Sequence, residues 1–248
     1  MDLCERPSTD GKRHPWETVR SSFFGNKIVA LANNQPVNVL DIGSGDCWFS
    51  EQLLPKLPKG SNITCADLNF TDEDMTSVVP GINKVREIPQ QLFDMVIMLD
   101  VLEHIEDDKA FLAHSVVPRL KPESNIVISV PAHPSLFTTH DVFLGHHRRY
   151  TRRQLLSTSE TFFRTNEHGY LFTSLALVRF LQRVTASSSK KSESGVGNWH
   201  AGAIVTGLIT SALFIDSFIS RILHVIRVRI PGLTVWTICS SNRSATPQ

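Results

Sequence analysis

The segment Asn-Val-Leu-Asp-Ile-Gly-Ser-Gly-Asp, residues 38–46, constrains the fold more than any other stretch of the chain. An apolar run that closes on two glycines reads as a buried strand turning tightly into a helix. Gly43 and Gly45 lack the Cβ that would hold a ligand off the main chain, so something is expected to lie against bare backbone there. A helical pattern from about 16 to 32 leads into a strand at 37–42, and a helix from about 48 to 57 follows. Further strands are predicted at 62–67, around 84–87, and at 93–100, where Phe-Asp-Met-Val-Ile-Met-Leu-Asp is the unbroken apolar run of a strand covered on both faces. Residues 106–120 read as a helix and 125–131 as another buried strand. This alternation predicts an α/β, doubly wound, mostly parallel sheet. Such sheets bind ligands at the carboxyl ends of their strands, where the glycines sit.

Two nucleotide-like cofactors compete for that turn. A dinucleotide fold calls for a third glycine where this chain has Trp48, and it places a pyrophosphate at the helix start. Asp41, just ahead of the turn, would repel a pyrophosphate but suits an ammonium. Asp67, at the end of the next strand, suits a ribose diol in either case. Adenosylmethionine offers an ammonium and a ribose without a phosphate. A nicotinamide-dependent oxidoreductase is the disfavoured alternative.

Together with the Leu-Asp-Ile-Gly-Ser-Gly-Asp turn and the strand ending Cys-Ala-Asp, the segment Asp-Val-Leu-Glu-His at 100–104 resembles the class I S-adenosylmethionine-dependent methyltransferases. The stretch 130–151, containing His-Asp-Val-Phe-Leu-Gly-His-His-Arg-Arg-Tyr-Thr, resembles a segment found in small-molecule enzymes of that class. His-Pro-Trp-Glu-Thr-Val-Arg at 14–20 is similar to their N-terminal aromatic and arginine helix, and 231–242 to their last strand. The resemblance implies one Rossmann-like domain over 1–248 with a seven-stranded sheet and helices on both faces. It also implies a helical cap over about 1–35 and a helical insertion over about 171–230. Cys47 departs from the pattern by replacing a frequent third glycine. The segment before Phe93 lacks a clear acid for adenine, which leaves adenine unassigned.

Carried onto this sequence, the resemblance implies that Gly43, Ser44 and Gly45 line the methionine part and ribose of S-adenosyl-L-methionine. Asp41 would support the amino end, Asp67 would accept from the ribose hydroxyls, Leu68 would flank the adenine, and Asp100 with Val101 would close the methionine side. Asp100 and Glu103 have an equally good reading as helix caps. Methyl transfer from a sulfonium is an in-line displacement, so a hydroxyl acceptor needs a proton sink. Histidine suits general base work at neutral pH. His146 is the expected base, supported by Tyr150 and Asp141, with His140 and His104 as further candidates. The reaction expected is methylation of a small organic acceptor, oxygen ahead of nitrogen, with a quinone, a phenol or a lipidic molecule among the candidates. A cofactor-binding protein without turnover remains the main alternative.

The formal net charge of +1 makes no electrostatic case for nucleic acid. Cys4, Cys47, Cys65 and Cys239 lack metal-ligand spacing and read as small hydrophobes of a reducing compartment. The histidines between His133 and His147 form no helical i, i+4 pair, so no metal is assigned. The first residues carry no apolar leader core, which places the chain in the cytoplasm by expectation. Residues 186–198, rich in Ser, Lys and Gly, read as a loop. The run that follows, over about 203–228, has Thr206, Thr210, Ser217, Ser220, His224 and Arg227 at helical spacing, which makes an amphipathic helix with a wide apolar face. Asp216 and Arg221 argue against a membrane span. The face is expected to pack on the sheet or on a second copy of the chain, with peripheral contact to a membrane or a lipidic acceptor as the alternative.

Overall fold

The structure, a computed structural model, describes residues 13–185, 199, 201–225 and 230–242. Its elements run α1 (Pro15–Ala32), β1 (Asn38–Ile42), α2 (Trp48–Leu53), β2 (Asn62–Ala66), α3 (Asp72–Thr76), β3 (Ile82–Val85), β4 (Phe93–Leu99), α4 (Asp108–Phe111), β5 (Leu120–Pro131), α5 (Thr139–Phe143), α6 (Arg152–Glu160), β6 (Phe163–Leu171), α7 (Thr173–Thr185), α8 (Ala203–Val225) and β7 (Thr234–Ser241). Seven strands form one sheet in the order β3-β2-β1-β4-β5-β7-β6. β1 to β5 pair in parallel, and β7 inserts antiparallel between β5 and β6. Strand order reverses between β1 and β4. A crevice is expected at their carboxyl ends, next to the glycine turn.

The pleat divides the core. Val39, Ile63, Met95 and Ile97 face one way, onto Phe23, Phe24 and Ile28 of α1 and Leu53 of α2. Their neighbours Leu40, Val96 and Met98 face the other way, onto Leu112, Val116 and Leu155. Side chains alternate across a strand, so β1 sends Asp41 to the α1 side and Leu40 and Ile42 to the opposite side. That parity is why one carboxylate lies buried, at 3% exposure, beneath α1.

Two elements differ from the sequence-based expectation. The helix expected over 106–120 is only α4, followed by a π turn at Leu112–Val116 and a 3-10 turn at Val117–Arg119. Pro118 lies in the last of these turns and has no N–H to extend an α-helical ladder. The second difference is α8. Of the placements expected for its apolar side, the sheet is the one the structure rules out: Ile204, Leu208, Ile215 and Phe218 are 81%, 67%, 60% and 60% exposed, while Leu213 and Ser217 are buried. Thr210 Oγ1 donates to the Thr206 carbonyl, and Asp216 accepts from the Ser174 N–H at the start of α7. The polar stripe therefore faces inward. Cys4, Arg227 and the loop read at 186–198 lie outside the described residues.

Gly169 of β6 pairs with Trp236 of β7, and a Cβ at Gly169 would stand 2.8 Å from Trp236 Cζ2. The indole is buried and packs on Phe23, so it has no easy retreat. Gly169→Ala is expected to destabilise by about 1–3 kcal/mol, lowering the melting point by several degrees in calorimetry. An unchanged melting point would show that the indole yields freely.

Candidate functional site

The turn after β1 is built from left-handed backbone. Gly43, Gly45 and Cys47 have φ of 65°, 57° and 64°. Cys47 thus keeps the conformation of the glycine it replaces, fully buried at the start of α2. A Cβ at Gly43 would lie 2.7 Å from Val101 Cγ2, so the first obstacle to a side chain there is Val101. Asp67, just past β2, takes the Gly45 N–H on Oδ2 and the Asn69 N–H on Oδ1, both at 2.9 Å. Each oxygen keeps a lone pair free for a diol. Asp41 accepts from Ser50 Oγ at 2.7 Å, and burial raises its pKa to about 6.

A cavity of about 590 Å³ opens beside this turn, bounded by Gly43, Asp67, Leu68, Glu87, Val101 and Phe111 among others. Its size is that of a nucleoside-type ligand site. Leu68 is 81% exposed, an apolar side chain left at the rim. Glu87 and Ile88, just after β3, line the region left unassigned for adenine. A second cavity, of about 480 Å³, lies under α7 and includes Trp16, Glu103, His140, His146, Arg149 and Val178. The two cavities share Asp100, His104 and Leu144.

Asp100 ends β4 at φ 60°, a costly conformation for a side-chain residue. It is held by Arg20 of α1, whose Nη1 lies 2.6 Å from Asp100 Oδ2, and its backbone N–H donates to the Ser129 carbonyl. Arg20 also lies over the Trp16 ring at 5.3 Å. Sequence reading marked the segment 14–20 but did not single out Arg20, because the pairing joins positions eighty residues apart. The capping role considered for Asp100 and Glu103 belongs instead to Asp107, whose Oδ1 accepts from the Ala110 N–H.

Glu103 is fully buried, and neither carboxyl oxygen has a hydrogen-bond partner among the described residues. Burial, with the Asp100 charge adding to it, pushes its pKa well above the usual carboxylate range. It faces the second cavity as a neutral acid. Asp141 is the opposite case. Burial alone would raise it, but His146 Nδ1 at 2.9 Å, Arg149 Nε at 2.7 Å and the Thr138 N–H at 2.8 Å hold it well below that range. An ionised Asp141 can only accept, so His146 carries its proton on Nδ1 and turns Nε2 toward other partners.

His104 meets His146 edge-on at 4.7 Å between ring centres. Glu103, His104 and His146 each bring a ligand-type atom within 4.8 Å of the others. That grouping spans a 3-10 turn and a loop, and no helical spacing announced it. His140 stacks on Phe143 at the rim of the second cavity. Tyr150 does not support His146, contrary to expectation. It is 2% exposed, its hydroxyl lies 2.8 Å from Asp108 Oδ2, and burial with the Asp108 hydrogen bond keeps it protonated. Tyr150 fixes the loop from beneath.

A family model described as a methyltransferase domain matches residues 16–184. The chain belongs to this methyltransferase family. Over those residues it is a methyltransferase domain. The methyltransferase is similar to ubiquinone biosynthesis O-methyltransferase of Paramagnetospirillum magneticum (strain ATCC 700264 / AMB-1), at 27% identity over 124 residues, covering 44% of this chain and 49% of that protein. The match thus spans about half the length of that relative. Among solved structures, the methyltransferase resembles N-methyltransferase NodS from Bradyrhizobium japonicum WM9 in complex with S-adenosyl-L-homocysteine, with TM-score 0.56 and 13% identity over 97% of each chain. It also resembles coclaurine N-methyltransferase bound to N-methylheliamine and S-adenosylhomocysteine, with TM-score 0.54 and 12% identity over 89% of this chain and 72% of that one. Likeness at these identities concerns the fold. The bare turn at 43–45, the paired oxygens of Asp67 and the exposed Leu68 fit adenosylmethionine.

Neutral Glu103 has a consequence for stability. Its folded pKa lies above the unfolded one, so the native state favours the protonated form, and stability falls as pH rises above the unfolded value toward the folded one. Glu103→Gln, neutral at every pH, should therefore gain over wild type as pH is raised from 5 to 8.5. Each unit of pKa difference is worth about 1.4 kcal/mol, or roughly 3–6 °C in melting point at this size. Parallel melting curves across that range would mean that Glu103 is ionised.

Proposed function

We propose that this methyltransferase transfers a methyl group to a hydroxyl oxygen of a small, partly apolar acceptor held in the cavity under α7. The observation that carries the reading is the His146–Asp141 pair at 2.9 Å on the wall of that cavity, beside the Asp100–His104–Leu144 border with the other cavity. Adenosylmethionine, when bound, supplies an electrophilic methyl on a sulfonium. Asp67 would hold the ribose hydroxyls, Leu68 an adenine face, and Asp41 with Ser44 the amino-acid end. Gly43 and Gly45 would let the donor approach their backbone, and Asp100 with Val101 would close the methionine side.

The acceptor hydroxyl must lose its proton as its oxygen attacks carbon. Asp141, ionised and acceptor-only, fixes the imidazole tautomer and favours the imidazolium that forms, which leaves His146 Nε2 to take the proton. His104 and Glu103 lie beside the His146 ring, each with a ligand-type atom within 4.8 Å of one of its nitrogens. Val178, Leu175 and Phe172 line the same cavity, which suits an aromatic or alkyl body with one hydroxyl to orient. The similarity to a ubiquinone biosynthesis O-methyltransferase supports an oxygen acceptor.

His146→Ala should lower kcat by about 10²–10⁴ with adenosylmethionine affinity kept, because the base acts in the transition state. Phenol and hydroquinone panels supply the acceptor. Wild-type turnover by the variant would remove His146 from the chemistry, and methylation confined to amines would replace oxygen by nitrogen.

Asp67→Ala deletes the diol acceptor. Loss of a charge-assisted hydrogen bond costs about 1.5–3 kcal/mol, so calorimetric affinity for adenosylhomocysteine should fall at least tenfold while the circular dichroism spectrum is kept. Unchanged affinity would place the ribose elsewhere.

A further inference from the structure

The helix pair α7–α8 has the reverse polarity of a helix that packs in a water-soluble protein. α8 is 23 residues long, and its first eighteen, Ala203–Ser220, have a mean hydropathy of 1.7 with only 11% buried. The buried side holds Leu213 and Ser217, and its one acid, Asp216, is engaged by the Ser174 N–H. The outward side carries Ile204, Leu208, Phe214, Ile215, Phe218 and Ile222, all exposed. α7 extends the patch with Leu177, Phe180 and Leu181. An apolar surface on this scale marks a binding face.

Its chemistry selects the occupant. Protein interfaces, where Phe is common as well as Tyr, Trp and Arg, still carry about one hydrogen bond per 100–200 Å², whereas the large outward side chains here, Ile, Leu and Phe, have no polar atom to offer. Hydrocarbon asks for none. Charge points the same way: the sequence from Arg179 to Ile230 has seven Lys or Arg against two acids, in a chain whose formal net charge is +1. A basic segment bearing a wide apolar face is the composition of an interfacial anchor. Ile209 and Leu213 hold α8 along the body, against the α1 side of the core, so the helix lies flat and does not cross a bilayer.

We propose that the α7–α8 face docks on an anionic lipid bilayer, seated in one leaflet. Val178, half-exposed on α7, also lines the cavity under that helix. Docking therefore brings the cavity to the lipid, so that an acceptor with an apolar tail enters from the membrane. That second consequence rests on the acceptor reading above; the docking itself does not.

The test is flotation of the full chain with mixed phosphatidylcholine–phosphatidylserine vesicles, with Leu208→Glu/Ile215→Glu as the comparison. Both positions are solvent-exposed, so the variant should keep its melting point and its adenosylhomocysteine affinity. Wild type should float with the anionic vesicles, less with pure phosphatidylcholine and less at high salt, and the variant should lose about tenfold or more of its binding. Wild type that stays at the bottom of the gradient would overturn the proposal, as would a variant that floats equally well. A wild-type dimer in light scattering that the variant splits, without flotation, would assign the face to a second copy of the chain. Wild type that floats but methylates no tailed hydroxyl acceptor would count against the acceptor reading alone.

Discussion

The ion pair between Arg20 and Asp100 joins two parts of the molecule that the rest of the site needs in register. Asp100 closes β4 in a left-handed conformation that is unfavourable for a residue with a side chain. Arg20 reaches from α1 to hold it at 2.6 Å. With Asp100 in place the chain turns at once into the Leu102–His104 turn, which carries Glu103 and His104 to the border of the two cavities. With Arg20 in place α1 lies over β1 and buries Asp41. Arg20 is itself almost wholly buried, so each charge depends on the other for compensation.

Beyond that border stand two carboxyl groups in contrasting surroundings. Asp141 receives hydrogen bonds from His146, Arg149 and Thr138 and stays ionised. Glu103 receives none among the described residues and stays protonated. Of these two acids, only Asp141 brings a fixed negative charge, and it lies behind the histidine. In the proposed reaction, an imidazole backed by that carboxylate would accept the proton at Nε2. Tyr150 belongs to the support of this arrangement: its hydroxyl meets Asp108 and its backbone bridges to Ala132.

Periodicity made the sheet legible. Unbroken apolar runs marked β1, β4 and β5, and each glycine or acid at a strand end marked the ligand side, so Gly43, Gly45, Asp67 and Asp100 were all readable as one crevice. The conformation of Cys47 was hidden because a cysteine says nothing of φ, and the Arg20–Asp100 pair was hidden because nothing local ties 20 to 100. The histidine segment was legible as a cluster but not in its internal roles. Which residue of 140–150 faces a cavity depends on the turn of α5, and only the structure sends Tyr150 inward to Asp108 and His146 to the cavity wall. The helix at 203–225 was legible as amphipathic. Its orientation was not, because helical spacing separates an apolar face from a polar one without saying which of them turns toward the body.

The proposed chemistry turns on Asp141 leaving His146 Nε2 directed at the cavity under α7. Long-range proton–nitrogen correlation spectra of the neutral His146 ring read that directly. The account predicts the tautomer with hydrogen on Nδ1, together with reversion toward a mixed population in Asp141→Asn, whose amide no longer dictates the choice. A neutral His146 with its hydrogen on Nε2 in the wild-type enzyme would contradict it, because that ring could not take a proton from a hydroxyl at Nε2.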